Sequence, residues 1–293
     1  MTSDAHEAIR PEEMPTTVIE RQRRWRPVDL KALWHSRELI AFLAWRDVKI
    51  RYKQTELGVL WAVIQPLATT GVFAILFGLL MGPGEEPGVE GVPYILSTFC
   101  AMLAWQIFSE SMTRSANCLV DGRQLVTKVY FPRAGMPMAT TLVSIFDFAI
   151  RMVLLVLLMA WFRQVPTWSI LAFPLFFLLS VTMAVGASLW ISALSAIYYD
   201  FRYAMPFFMQ LGFYASPVVY ATSRLTRSAP PLVSAIYSMN PMVAVIEGFR
   251  WTLLGSPPPS LAILIPSVAT TVFLFVGGLF FFRRMERVIV DVI

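Results

Sequence analysis

Asp147 and Arg151 stand one helical turn apart in a stretch that is otherwise uncharged from Ala134 to Phe162. At i, i+4 spacing a carboxylate and a guanidinium share one helix face and can neutralise each other. In an apolar setting such a pair either anchors its helix to a neighbour or marks a transport path, because an unpaired charge is costly there. The pair lies about 15 Å in from the start of its stretch at 1.5 Å per residue. Glu110, near the end of an earlier apolar stretch, reads as an interfacial charge. A second set is basic: Arg46, Lys49 and Lys53 recur at i, i+3, i+7, one position on from Trp45, Val48 and Tyr52, with Arg51 between them. A cationic stripe beside an aromatic–aliphatic stripe suits a helix lying at a membrane surface, its long side chains reaching toward lipid phosphates.

Other chemistries find little support. The chain has no GxxxxGK[ST] run and no GxGxxG before a helix, so it is not expected to hydrolyse nucleotide or to act as an enzyme. Its two histidines, His6 and His35, both lie in the N-terminal region, and no HExxH or Cys/His cluster suggests a metal. Cys100 and Cys118 fall on different predicted segments and read as small apolar packers rather than a disulfide. Trp61, Trp105, Trp161, Trp168, Trp190 and Trp251 fall near predicted span ends or loops. Such rings form membrane belts or stack on sugars, and the sequence does not divide these roles.

The elements that must carry these residues are membrane spans. Of 293 residues, 57% are hydrophobic and 15% charged, against roughly 25% charged in a soluble domain. Charges crowd into the first fifty-odd positions, short loops and the C-terminus. The uncharged runs Leu57–Gly84, Gly91–Ser109, Ala134–Phe146, Gln164–Tyr199, Tyr203–Ser223 and Trp251–Phe282 lie between them. Crossing the hydrocarbon takes about 20 apolar residues. An all-α protein with six spans follows, at about Gly58–Met81, Tyr94–Met112, Met136–Phe162, Ser169–Ala196, Met205–Tyr220 and Ser260–Phe282.

Residues 1–28 read as a mobile tail and 29–57 as an amphipathic interfacial helix, with Asp29 as its N-cap. Residues 58–293 form the spanning domain, including a basic cytoplasmic segment at 113–136 and an outer region at 221–259. Lys and Arg concentrate in the N-terminal tail, the loop before the third span and the C-terminus. The loop Gly82–Pro93 carries only Glu85, Glu86 and Glu90. That asymmetry places both termini in the cytoplasm. It also makes the net charge of +5 a membrane-flank feature rather than a nucleic-acid signature. Arg224, Arg227 and Arg250 break the rule, so 221–259 is read as surface or re-entrant helices rather than a flexible loop.

Five segments in order resemble the permease subunits of ABC exporters for bacterial cell-surface polysaccharides, the O-antigen and teichoic-acid export family. They are Arg46-Asp47-Val48-Lys49-Ile50-Arg51-Tyr52-Lys53-Gln54-Thr55-Glu56-Leu57-Gly58 followed by Trp61 and Pro66; Asn117 … Lys128-Val129-Tyr130-Phe131-Pro132-Arg133 … Pro137; Ser216-Pro217-Val218-Val219-Tyr220; Asn240-Pro241 with Phe249-Arg250; and Arg284-Met285-Glu286 … Asp291. One departure is Tyr199-Asp200-Phe201-Arg202, where the family often has Arg-Asp.

The resemblance implies a homodimer paired with two copies of a separate ATPase, which would supply the ATP and Mg site. It also implies a lipid-linked polysaccharide as substrate and the bacterial cytoplasmic membrane as location. Lys128, Tyr130, Phe131, Pro132 and Arg133 would contact the ATPase. Arg46, Lys49, Arg51, Tyr52 and Lys53 would receive the lipid head group, and Trp61, Tyr214 and Tyr220 would line the path. Asn240, Pro241 and Arg250 would shape the outer re-entrant region. The alternatives are a small-molecule or lipid ABC exporter permease and a polyprenyl-dependent membrane transferase. The transferase would need paired carboxylates, and the acidic loop reads better as solvated.

Overall fold

Every element that the described residues form in the computed structural model is a helix. Those residues are 27–28, 30–53, 58, 60–81, 89, 91–124, 131–222 and 230–292. Lys128, Tyr130, Asp29, the loop acids Glu85, Glu86 and Glu90, Arg224, Arg227 and nearly all of the N-terminal tail lie outside them. The helices run α1 Leu30–His35, α2 Arg37–Lys53, α3 Leu60–Met81, α4 Tyr94–Asp121 and α5 Gly135–Trp161. After a 3-10 turn at Trp168–Ala172 come α6 Phe173–Ile197, α7 Asp200–Ala215, α8 Pro231–Ser238, α9 Pro241–Leu254 and α10 Leu261–Val292.

Among the described residues, four helical segments are long and apolar enough to cross a membrane unaided: Leu60–Leu79, Gly135–Trp161, Trp168–Ile197 and Leu261–Glu286. The α8–α9 pair, bent by 74°, is a fifth candidate, as a broken span or a re-entrant loop. The chain is thus a multi-pass membrane protein. Two of the six expected spans do not qualify by themselves. Helix α7 has only 16 residues. Helix α4 carries Glu110 and Arg114 in its second half, yet it stays helical for 28 residues because protein surrounds it on most sides.

Helix α4 is the central post, packed by α3, α5, α6, α7 and α9. In lipid there is no hydrophobic gain from burying one apolar helix on another, so association rests on close fit, and small residues permit it. Ala101 and Ala104 on α4 and Ala184 and Ala187 on α6 are buried accordingly. A close backbone approach joins α6 to α10. A Cβ on Gly186 would stand 2.6 Å from the Phe275 backbone, and one on Gly278 would stand 2.6 Å from the Gly186 carbonyl oxygen.

Boundaries depart from expectation where local chemistry overrides hydropathy. The N-terminal helix breaks at Ser36, giving α1 and α2. The fifth span begins at Asp200, within the supposed polar break, and ends at Ala215. Pro217 disfavours helical backbone at Ser216, which is extended at ψ 151, and Val218 through Tyr220 continue without helix. Helix α2 leans along the first half of α5. Ile40 touches the Gly135 position, Trp45 and Tyr52 each place their rings 6.2 Å from Phe146, and Tyr52 reaches Asp147. Its buried face is Ile40, Leu43, Ala44 and Val48, while Phe42, Trp45 and Ile50 stay exposed, as does Trp34 on α1.

Candidate functional site

The one fully enclosed carboxylate on α5, Asp147, draws three helices together. Its Oδ2 accepts from Arg51 on α2 at 2.5 Å and from Arg114 on α4 at 2.7 Å, and its Oδ1 accepts from the Tyr52 hydroxyl. Glu110 on α4 takes Arg151 of α5 at 2.5 Å, Arg114 at 3.2 Å and Arg51 at 3.7 Å. Arg151 is completed by donation from Nε to the Ala62 carbonyl of α3 at 3.0 Å.

Asp147 and Arg151 therefore do not pair with each other, contrary to the spacing. Each is neutralised by residues of other helices, Asp147 by Arg51 of α2 and Arg114 of α4, Arg151 by Glu110 of α4. Residues at i, i+4 on one helix remain separate when better-placed partners converge from neighbours. Glu110 correspondingly joins this buried network rather than standing as an interfacial charge, with its side chain 21% exposed.

The sum of the cluster decides what it can do. Arg51, Arg114 and Arg151 face Glu110 and Asp147, so the cluster holds one more cation than carboxylates. Arg151 and Asp147 are sealed, so the excess is presented by Arg51 and Arg114, whose side chains are 35% and 23% exposed. Burial works against the Arg51 cation, but Asp147 and Glu110 more than offset it and raise its pKa. Burial and the hydrogen bond to Asp147 push the Tyr52 phenol far above its usual value, so it stays a donor.

Two grooves meet at these arginines. One, of about 480 Å³, lies between α2, α4 and the start of α5, and includes Arg46, Asp47, Asn117 and Asp121. The other, of about 560 Å³, runs between α3, α4 and α7, lined by Gln65, Thr69, Phe73, Trp105, Gln106, Gln210 and Tyr214 among others. Arg51, Thr113 and Arg114 border both.

The remaining expected residues fall in four places. Lys49 and Lys53 are exposed on α2, outside both grooves. Trp61 is 52% exposed near the start of α3 and lines neither. Of the segment meant to meet a partner, Phe131 is buried at 9% exposure among Val28, Leu33, Ile40 and Met136, so its ring anchors the segment to this chain instead of projecting outward. Pro132 is half-buried, and Arg133 reaches Glu286 of α10 at 3.9 Å.

The outer set knits the irregular Ser216–Tyr220 strip to α9. Asn240 caps α9 by accepting from the Met242 amide at 3.0 Å and donates to the Ser216 hydroxyl at 3.0 Å, with Pro241 opening the helix. Buried Arg250 donates to the carbonyls of Val218 at 2.9 Å, Tyr220 at 3.1 Å and Ser97 at 3.3 Å. Tyr220 donates in turn to the Tyr214 carbonyl at 3.2 Å. Arg250 is thus a clamp between α4 and the irregular strip, supplying donors to the Val218 and Tyr220 carbonyls, which have no helix, as buried backbone requires.

Three glutamines, Gln65, Gln106 and Gln210, were not singled out by spacing or charge. The available signal was a primary amide in the interior of an apolar helix, which is as much in need of a partner as an ion is.

Comparison with known proteins bears on this arrangement. The profile of the ABC-2 type transporter family matches residues 38–254. An O-antigen export system permease protein RfbA of Myxococcus xanthus is 26% identical over 259 residues, covering 88% of this chain and 96% of that protein. Two proteins of the same name from Klebsiella pneumoniae are 26% and 25% identical over 214 residues, each covering 73% of this chain and 79% of the relative.

Proposed function

The chain belongs to the ABC-2 type transporter family, and from that premise we propose that it is the membrane subunit of an ATP-driven exporter. Its substrate is a lipid-linked cell-surface polysaccharide, O-antigen or teichoic-acid-like, moved across the bacterial cytoplasmic membrane. Support for the substrate class comes from the relatives, which are named as O-antigen export permeases.

The observation that carries the reading within this molecule is the junction at Arg51 and Arg114. A lipid-linked glycan joins an anionic phosphate linkage to an uncharged chain of sugars. The junction offers a positive excess where a groove beside basic α2 meets a groove along α3 and α7. The exposed face of α2, with Phe42, Trp45 and Ile50 beside Lys49 and Lys53, suits the inner membrane surface, where cations attract anionic head groups.

In this reading α3, α4, α5, α6, α7 and α10 are the six spans, and both termini are cytoplasmic. The α8–α9 pair is re-entrant from the outside. Its far end meets the turn between α5 and α6, through Gln164 to the Leu254 carbonyl at 2.8 Å and Ser169 to the Trp251 carbonyl at 2.9 Å. Two copies of the chain close the groove between α3 and α7. Two copies of a separate ATPase, which binds ATP and Mg, dock on the segment containing Lys128, Tyr130 and Arg133. Closure of the ATPase pair moves that segment and changes access across the bilayer.

The test is complementation in cells from which the gene has been deleted. Arg51→Gln, which removes the charge but keeps a side-chain donor for Asp147, is expected to leave the membrane complex assembled while glycan accumulates inside. Normal surface glycan with Arg51→Gln would refute the role given to the junction.

A further inference from the structure

Helix α10 is longer than a span requires. Its 32 residues, Leu261–Val292, reach about 48 Å at 1.5 Å per residue, against about 30 Å of hydrocarbon. Toward its C-terminal end, Phe282, Met285, Glu286 and Ile289 stand at i, i+3, i+4 and i+7, so they share one face. Phe282 and Ile289 are fully buried, in one apolar cluster with Phe131 and Ala134 from the end of the linker before α5. A helix that merely left the membrane would have its last turns solvated. These turns are docked on protein instead.

Glu286 is the one acid among Arg283, Arg284 and Arg287. Its Oε2 accepts from Arg283 at 2.5 Å, and its Oε1 faces Arg133 of the linker at 3.9 Å. Both partners in the pair with Arg133 are shielded, with the Arg133 side chain 27% and the Glu286 side chain 15% exposed. Arg133 is also tied to the start of α5. The Met136 amide donates to its carbonyl at 3.1 Å, and the Gly135 amide to that of Pro132 at 2.8 Å. One carboxylate thus joins the end of α10 to the turn from which α5 begins.

Nearer its middle, α10 is fixed to α6. Trp190 lies flat on Phe281, with ring centroids 4.3 Å apart, and its indole nitrogen donates to the Leu274 carbonyl at 3.1 Å. The same indole covers Gly277, where a Cβ would stand 3.0 Å from it. The other end of the linker is held more weakly. Asp121, the last residue of α4, meets Arg202 of α7 at 3.8 Å, and its side chain is 76% exposed. Solvent screens such a pair, so it holds little.

Resting on the exporter reading above, we propose that the C-terminal turns of α10 are the arm that carries linker movement into the bundle. Glu286 is the positioning residue that keeps Arg133 on that arm. The linker end, α10 and α6 travel as one block. Helix α7 parts from the linker at Asp121 and Arg202, and the groove between α3, α4 and α7 changes width.

The experiment uses inverted membrane vesicles from glycan-producing cells, which contain the full chain with its ATPase and expose the cytoplasmic face. ATP-driven glycan uptake and ATP hydrolysis are read together. Glu286→Lys is expected to lower uptake by about tenfold, with hydrolysis and co-purification of the ATPase retained. Undiminished uptake, or uptake and hydrolysis lost together from an assembled complex, overturns the arm.

A second measurement does not depend on how well that variant folds. In a chain with Cys100 and Cys118 replaced by serine, Arg133→Cys/Glu286→Cys is bridged by a bifunctional thiosulfonate and then released with dithiothreitol. The bridge restores the lost link, so uptake should be about fivefold higher with it than after release. In Asp121→Cys/Arg202→Cys the same bridge should stop uptake, because it holds a contact that must open. Uptake stopped by the first bridge, or unaffected by the second, overturns the proposal. Failure of the exporter reading has a separate signature, which is ATP-driven glycan uptake unchanged in vesicles from cells lacking the gene.

Discussion

Asp147 is held by donors from two other helices, and that geometry predicts what its loss does. Removing the carboxylate leaves Arg51 and Arg114 facing each other with only Glu110 to compensate them. Breaking such a buried network by deleting one partner costs about 3–5 kcal/mol. Asp147→Ala should therefore lower the thermal midpoint of the detergent-solubilised chain sharply, and undock α2. Limited proteolysis should then cut within 37–53. Exchange of the two α5 charges, Asp147→Arg with Arg151→Asp, should not restore what either change loses. An arginine at 147 would meet Arg51 and Arg114, and an aspartate at 151 would meet Glu110. Rescue by the exchange would show that the two residues act as a pair after all. The sequence made the charges visible but not their partners, because pairing across helices depends on how α2, α4 and α5 cross. The glutamines were hidden for a different reason, since an amide leaves no mark in a charge pattern.

At the scale of elements, hydropathy located the long helices well and their ends poorly. Runs of about 20 apolar residues are a property of the chain alone, whereas the stop of α7 depends on Pro217 and the length of α4 on what surrounds it. The close contact of α6 with α10 was not legible, since glycines at 186 and 278 gain meaning only when the two helices meet. Gly186→Ala forces its Cβ against the Phe275 backbone and should cost about 1–3 kcal/mol of stability through overpacking. A thermal midpoint equal to that of the unchanged protein would show that the helices can part without cost. In the linker before α5, Phe131 is buried within this chain, so the proposed ATPase contact falls to its neighbours. Phe131→Ala should destabilise the chain itself by about 3 kcal/mol, as loss of a buried aromatic does. Tyr130→Ala should leave stability intact and weaken ATPase co-purification. Equal stability of both variants would refute the division.

For the whole molecule, the orientation rests on where the α8–α9 hairpin begins and ends. If the pair is re-entrant, the start of α10 and the turn between α5 and α6 lie outside, and the turn between α6 and α7 lies inside. The contacts favour this. The C-terminal end of α9 is tied to Gln164 and Ser169, and Gly255, at φ 73, ends that helix in the left-handed conformation beside Thr167. A crossing by α8 and α9 would instead put the start of α10 and the residues at 164–169 on opposite faces. Single cysteines decide between the two, in a chain whose Cys100 and Cys118 have been replaced by alanine or serine. Val165→Cys and Ser260→Cys should react with a membrane-impermeant maleimide added to intact spheroplasts. Tyr199→Cys, 57% exposed, should react only after permeabilisation. Labelling of Ser260→Cys from the inside alone would make α8–α9 a broken span and place the C-terminal basic cluster outside.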